Sequence, residues 1–400
     1  MNSPSRAPLP PGFSAIWGCV ALDLVGFGIV LPILPLYAER FGASPMTVGA
    51  LVASFSIAQL LFAPLWGRLS DRVGRKPVLI LSLVGTAVGS LLTGLAGSLV
   101  LLFAGRVVDG ISGASVSVAQ AAVADVAAPE ERARLLGLLG AAFGLGFVAG
   151  PAIGGLAALA GPEVPFLIAA AIAAINAVVA LRRLPETHPP AARRPDPARP
   201  GSAVPAPSPA RTRAPVFLAV SFLSLVGFSA FEATFALFGE DRLGLELSSA
   251  GGVFAGIGVV LVLVQMRLVR PTVARLGEAA TVRLGLLVNG GGLLLLAAAD
   301  SWWLLVPALV ALCAGQGLVT PTLASLVAGR TEAHRRGGAL GLQQAAGGLA
   351  RVIGPLAGGA AFQHIGVPAP YAIGAALMVT AALLVHGAGG TDRDAVVTLR

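Results

Sequence analysis

Twelve apolar stretches, separated by short charged or turn-rich breaks, set the limits on what this 400-residue chain can fold into. A helix needs roughly 20 apolar residues to cross a bilayer core about 30 Å thick. The stretches fall at about 14–38, 47–67, 77–97, 99–124, 134–158, 164–181, 215–239, 248–266, 281–299, 302–327, 337–360 and 368–388. Apolar residues make up 56% of the chain and charged residues 12%, with a mean hydropathy of +0.85. That is about half the charge of a typical globular protein, which excludes an ordinary soluble enzyme. The 52 glycines and 29 prolines lie mostly inside the apolar stretches, where they read as packing and hinge devices rather than as disorder.

Charge placement orients the stretches. Of 27 Lys and Arg residues, 23 lie in the N-terminal tail, the even-numbered loops and the C-terminus. Arg40 and Arg242 lie in the opposite loops, and Arg106 and Arg351 within apolar stretches. By the positive-inside rule both termini are cytoplasmic, in a multi-pass protein of the cell (inner) membrane. Residues 182–214 form a Pro- and Arg-rich cytoplasmic linker low in aliphatics. The predicted organisation is a tail over 1–13, a six-helix bundle over 14–181, the linker over 182–214, a second six-helix bundle over 215–388 and a tail over 389–400.

The two halves repeat. At a shift of 204 positions, Gly137-Leu138 meets Gly341-Leu342, Gly150-Pro151 meets Gly354-Pro355, and Gly154-Gly155 meets Gly358-Gly359. The expected fold is therefore all-α and integral to the membrane, with twelve transmembrane helices in two pseudo-symmetric six-helix bundles. Parallel repeats of this kind build rocking transporters whose site lies near the midplane between the halves.

The turn after the second stretch reads Gly67-Arg68-Leu69-Ser70-Asp71-Arg72-Val73-Gly74-Arg75-Lys76. Here the chain resembles the major facilitator superfamily, whose signature in that loop is G-x-L-x-D-R-x-G-R-K. The resemblance implies that Gly67, Asp71, Arg72, Gly74 and Arg75 form a cytoplasmic gate. It places Asp71 near the start of the eleventh helix and Arg75 on an acid at the end of the fourth, here Asp125. Opening toward one face is then expected to break these contacts. The second-half counterpart, Arg270 to Glu278, keeps Gly277 but lacks the aspartate, so no symmetric latch is expected.

The fifth stretch carries Gly146, Gly150, Pro151, Gly154 and Gly155, which resembles the G-x-x-x-G-P-x-x-G-G motif of the superfamily's proton-coupled exporters. Small residues four apart allow close helix approach, and the proline is expected to bend the helix. The fourth stretch resembles an R-x-x-x-G-x-x-G-A element through Arg106, Gly110, Gly113 and Ala114. The first, from Asp23 through Gly26, Gly28, Pro32 and Pro35, is similar to the opening helix of tetracycline and multidrug exporters. Together these imply a twelve-helix drug:proton antiporter, exporting small amphipathic compounds by alternating access.

An ionisable residue inside a span is a functional candidate by default. The deep ones are Asp23, Asp109 and Glu232 against Arg106 and Arg351, so one acid has no cation. That surplus carboxylate is expected to exchange a proton for cargo, with Asp23 favoured and Asp109, three residues from Arg106, second. Glu232, about 25 Å along its helix, is expected near the outer mouth. Arg351 can pair with Glu232, attract an anionic group, or face a watery cleft. Gln59, Gln120, Asn176, Asn289, Gln316, Gln343 and Gln344 are candidates for cavity lining, or for interhelical hydrogen bonds. Phe27, Tyr37, Phe55, Phe143, Phe231 and Phe235 are candidates for aromatic walls, or for core packing.

Other chemistries find no footing. There is no GxxxxGK[ST] loop for ATP, no nucleophile elbow, and no metal-ligand spacing around His364 or His386. Cys19 and Cys313 suggest neither a disulfide framework nor a metal site. The net charge of +8 is dispersed among loops rather than gathered on a nucleic-acid face. No cofactor and no removable signal peptide are expected. The partners expected are a small-molecule substrate, protons and the lipid bilayer, for a monomer that is not an enzyme. The alternatives are a sugar or metabolite facilitator or importer on the same scaffold, and a non-transporting receptor.

Overall fold

A computed structural model of the chain describes residues 9–127, 131–187, 214–331 and 336–397. Most of the predicted linker, 188–213, lies outside the described residues. The described residues form helices and no strand: α1 (Phe13–Glu39), α2 (Pro45–Val73), α3 (Arg75–Gly94), α4 (Leu99–Ser112), α5 (Ser115–Val126), α6 (Arg132–Ala158) and α7 (Val164–Arg183) in the first half. The second half holds α8 (Ala214–Leu243), α9 (Leu247–Arg267), α10 (Val269–Leu276), α11 (Glu278–Ala297), α12 (Trp302–Gly329), α13 (Arg336–His364) and α14 (Ala369–Val397). Twelve spans are long and apolar enough to cross a membrane, as expected. The side where α1 begins is called the terminal face below, and the other the far face.

Three elements depart from the expected pattern. The fourth span is broken into α4 and α5 at Gly113-Ala114. Its freed backbone groups are met by neighbouring helices: Ser82 donates to Ser112 O and accepts from the Ala114 N–H at 3.2 Å, Gln59 donates to Gly113 O at 2.9 Å, and Trp66 to Ile111 O at 2.5 Å. Irregular backbone inside a membrane persists only when so satisfied. The loop over 268–277 contains the short helix α10, which buries no residue. The last helix also continues beyond 388 to Val397.

Glycines bring the helices together and make the repeat visible in space. A Cβ at Gly146, Gly150 or Gly154 would strike the α1 backbone at Leu24, Gly28 or Ile29. In the second half, Gly354 and Gly358 meet α8 at Val226 and Ala230 in the same way. The seam between halves follows suit. Gly155 of α6 meets Ser248 and Gly251 of α9, and Gly359 of α13 meets Pro45 and Met46 of α2. Gly251 lies against Pro151 O, and Gly49 against Pro355 O.

The backbone contacts of α2 with α13 lie in the far half of both helices, with a side-chain contact of Leu60 on Gly348 near their middle. The apolar core shared between halves lies on the far side. Ala236, Leu237 and Ala250 of the second half pack in one cluster with Ile29, Ile33 and Tyr37 of the first. On the terminal side, α5 packs against α1, α2, α3 and α6, and α10 against α9, α11 and α12, each within its own half. From residue 59 to residue 69 no α2 side is buried, although Val48, Leu51 and Ala53 are. The molecule is thus closed at the far face and open at the terminal face.

Gly150→Leu places a branched side chain against the Gly28 backbone, and overpacking of this kind costs about 1–3 kcal/mol. We expect it to lower the unfolding temperature of the detergent-purified chain. Gly137→Leu on the same helix, with nothing within 4 Å, is expected to leave it unchanged.

Candidate functional site

Three groups of charged residues are held by this scaffold. The first sits at the terminal face. Gly74, at φ 108°, ends α2 and caps α3, a conformation that favours glycine. Arg75 is thereby turned inward, its side chain only 10% exposed. Its guanidinium donates to Asp125 at 3.0 Å, to Asp71 at 2.6 Å and to Ser70 at 2.6 Å. The expected Arg75–Asp125 contact is therefore present. Asp71 turns back onto Arg75, with its side chain 65% exposed. Its expected neighbour, the start of the eleventh helix, adjoins residues 332–335, outside the described residues. Opening was expected to break the Asp71, Arg75 and Asp125 contacts. All three contacting residues belong to the first half, and their contacts are present in the structure. Arg72 and Gly67 lie on the last turns of α2, where the Gly67 carbonyl accepts from Ser70 at 3.1 Å.

Sequence reasoning missed a fourth member. Glu186, just past α7, accepts from the backbone N–H of Arg75 at 2.9 Å and from that of Lys76 at 3.3 Å. A carboxylate at a helix N-terminus satisfies orphan donors and meets the positive end of the helix dipole. The residue falls in the predicted linker, so nothing local marks it. In the second half, the position after Gly277 is Glu278, which accepts from Ser325 at 2.6 Å. The charge at this position is the reverse of that at Arg75.

The second group lies inside the first half. Arg106 and Asp109 are 5% and 6% exposed and pair at 2.7 Å. Gly89 leaves room for this pair, since a Cβ there would strike Asp109. The guanidinium also lies 4.5 Å from the Phe55 ring centroid, and Phe55 packs against Phe27 at 5.7 Å. Asp23 of α1 is half-buried nearby. It accepts a hydrogen bond from Ser115 of α5, and its charged neighbour is another acid, Asp109. Among the described residues no Arg or Lys pairs with Asp23.

The third group lies in the second half. Glu232 is half-buried on α8 and faces Arg351 of α13, without an ion pair forming between them. Arg351 is the sixteenth residue of the 29-residue helix α13, and Glu232 is the nineteenth of the 30-residue helix α8. Of the three roles open to Arg351, the pairing with Glu232 is not formed among the described residues.

Most of the polar lining candidates are structural. Asn176 is fully buried and donates to Cys19 O at 2.8 Å. Asn289 donates to Leu312 O at 3.2 Å and to Gln316 at 3.1 Å, and Gln343 donates to Ser221 at 2.9 Å. Phe231 and Phe235 are core residues, 1% and 0% exposed. At the far face, Glu39 of α1 and Glu240 of α8 lie on opposite sides of the seam. They border a cavity of about 750 Å³ with Arg40 and Glu246, a second grouping that sequence spacing does not signal.

Residues 16–275 and 268–393 match the family model of the Major Facilitator Superfamily. The chain belongs to the Major Facilitator Superfamily. Within it, the chain is 34% identical over 352 residues to the class B tetracycline resistance protein of Escherichia coli, covering 86% of each chain. It is 29% identical over 347 residues to multidrug resistance protein 2 of Bacillus subtilis (strain 168), again covering 86% of each. Among solved structures it resembles the human organic anion transporter MFSD10 (TETRAN), with a TM-score of 0.73, 27% identity, and coverage of 94% of this chain and 100% of that one. The superfamily's folded frame accounts for the two bundles, and its relatives and neighbours are transporters rather than enzymes.

The buried pair yields a prediction. Removing one partner of a buried ion pair costs about 3–5 kcal/mol, because the other charge stays buried alone. Arg106→Gln is expected to destabilise the purified protein more than the double variant Arg106→Gln/Asp109→Asn, as read by thermal unfolding.

Proposed function

We propose that this superfamily member exports small amphipathic compounds in exchange for protons, by alternating access, as a monomer in the bacterial inner membrane. The terminal face is then the cytoplasm, on the strength of the 23-to-2 division of Lys and Arg between the two sides. The open terminal face is the state that loads cargo from inside. Closing it and parting the far-face contacts of Gly49, Gly359 and the Ile33 cluster releases cargo outward. The names of the relatives, tetracycline resistance and multidrug resistance, make tetracycline the first compound to test.

One observation carries the coupling. Arg106 answers Asp109 and Arg351 faces Glu232, whereas Asp23 has a hydroxyl and no cation. A carboxyl group so placed is neutral when it holds a proton and attracts a cationic or hydrogen-bond-donating cargo when it does not. Proton and cargo therefore compete for the same oxygen atoms. Ser115, at the start of α5 beside the helix break, orients the carboxylate without neutralising it.

In proteoliposomes with an imposed pH gradient, the wild type is expected to drive tetracycline against its concentration gradient. Asp23→Asn is expected to abolish uphill movement, leaving insertion and folding intact. Wild-type flux in that variant would remove the proposal, and wild-type movement only down the cargo gradient, without pH change, would favour a facilitator.

A further inference from the structure

Arg351 is the charged group in the spans whose contacts do not explain it. It is exposed, and among the described residues it makes no hydrogen bond, ion pair or ring contact. Arg106, by contrast, is paired and buried. The position that matches Arg351 in the first half is Phe147, so helix packing at this point does not require a cation.

Its direction follows from its neighbours on α13. Gly347, Gly354 and Gly358 lie against Leu225, Val226 and Ala230 of α8, and Gly348 and Gly359 against Leu60 and Pro45 of α2. At 3.6 residues per turn, Arg351 stands about 40° from the first row and about 60° from the second. It points into the wedge between α8 and α2, which is the seam between the halves. It also lies one turn toward the open face from Pro355, where α13 closes against Gly49. The guanidinium therefore stands at the floor of the open side. Its acidic neighbour Glu232 is near enough to interact and yet forms no ion pair with it.

An unpaired guanidinium in a sheltered cleft offers planar paired donors suited to an oxyanion. We propose that Arg351 receives an acidic oxygen group of the cargo, so that this site takes amphoteric compounds. Asp23 meets the basic or donor end, and Arg351 meets a carboxylate, enolate or similar oxyanion. Glu232 holds the guanidinium's place until the oxyanion arrives. This assignment rests on the exporter reading for its cargo site, but its test is a binding measurement that needs no proton coupling.

Three fluorescent probes are titrated against the purified full-length chain: a piperazinyl-quinolone carboxylic acid, the ethyl ester of that acid, and ethidium. A charge-assisted hydrogen bond is worth roughly a tenfold or greater change in affinity. The wild type is expected to bind the acid at least about tenfold more tightly than the ester. Arg351→Gln is expected to erase that ratio while leaving ester and ethidium binding unchanged, and Arg351→Lys to restore part of it. A wild type with no preference for the acid, an unchanged ratio in Arg351→Gln, or an equal loss for all three probes would overturn the assignment. Failure of the exporter reading shows instead as absence of pH-driven ethidium flux, with the acid-to-ester ratio intact.

Discussion

A charge inside hydrocarbon must be answered by an opposite charge, by hydrogen-bond donors, by water or by a proton. The arrangement of this chain follows from how each buried charge meets that demand. Arg106 and Asp109 answer each other where Gly89 leaves space. Arg75 sits at the membrane edge on two carboxylates, with its backbone held by a third at Glu186. Glu232 and Arg351 face each other across an unclosed gap. Asp23 is left to a serine, and in the proposed account its charge state is the one that changes.

A charge that changes is useful only if the scaffold can move around it. The backbone contacts through Gly146, Gly150 and Gly154 bind α6 to α1 within one half, and those through Gly155 bind α6 to α9 across the seam. One motif thus serves both the rigid body and the hinge surface. Its copy at Gly354, Gly358 and Gly359 does the same for α13 against α8 and α2. Interfaces made of small residues and backbone rather than interdigitated side chains can separate without stranding buried polar groups. The Arg75 cluster lies within the first half.

Much of this was legible locally. Spans about 20 residues long, the 204-residue repeat and the Gly67-to-Lys76 signature are patterns in adjacent sequence; the number of spans follows from the first, and Arg75's partner Asp125 is what the superfamily resemblance carried by the last implied. The break after Ser112 was not legible, because Ser82, Gln59 and Trp66, which make it tolerable, come from other helices. Glu186 was hidden by a linker composition, and Glu39 with Glu240 by the distance between them in sequence. Asn176 and Asn289 resolved as interhelical ties because their donors face carbonyls on adjacent helices.

The competition at Asp23 can be read without a membrane. If one carboxyl group cannot hold proton and cargo together, linkage requires that binding cargo expel the proton. Purified protein in weakly buffered detergent solution, mixed with tetracycline in the presence of a pH-sensitive dye, should release about one proton per bound molecule near the pH where Asp23 is protonated. The Asp23→Asn variant should release none. Cargo binding by the wild type with no proton release at any pH would contradict the account.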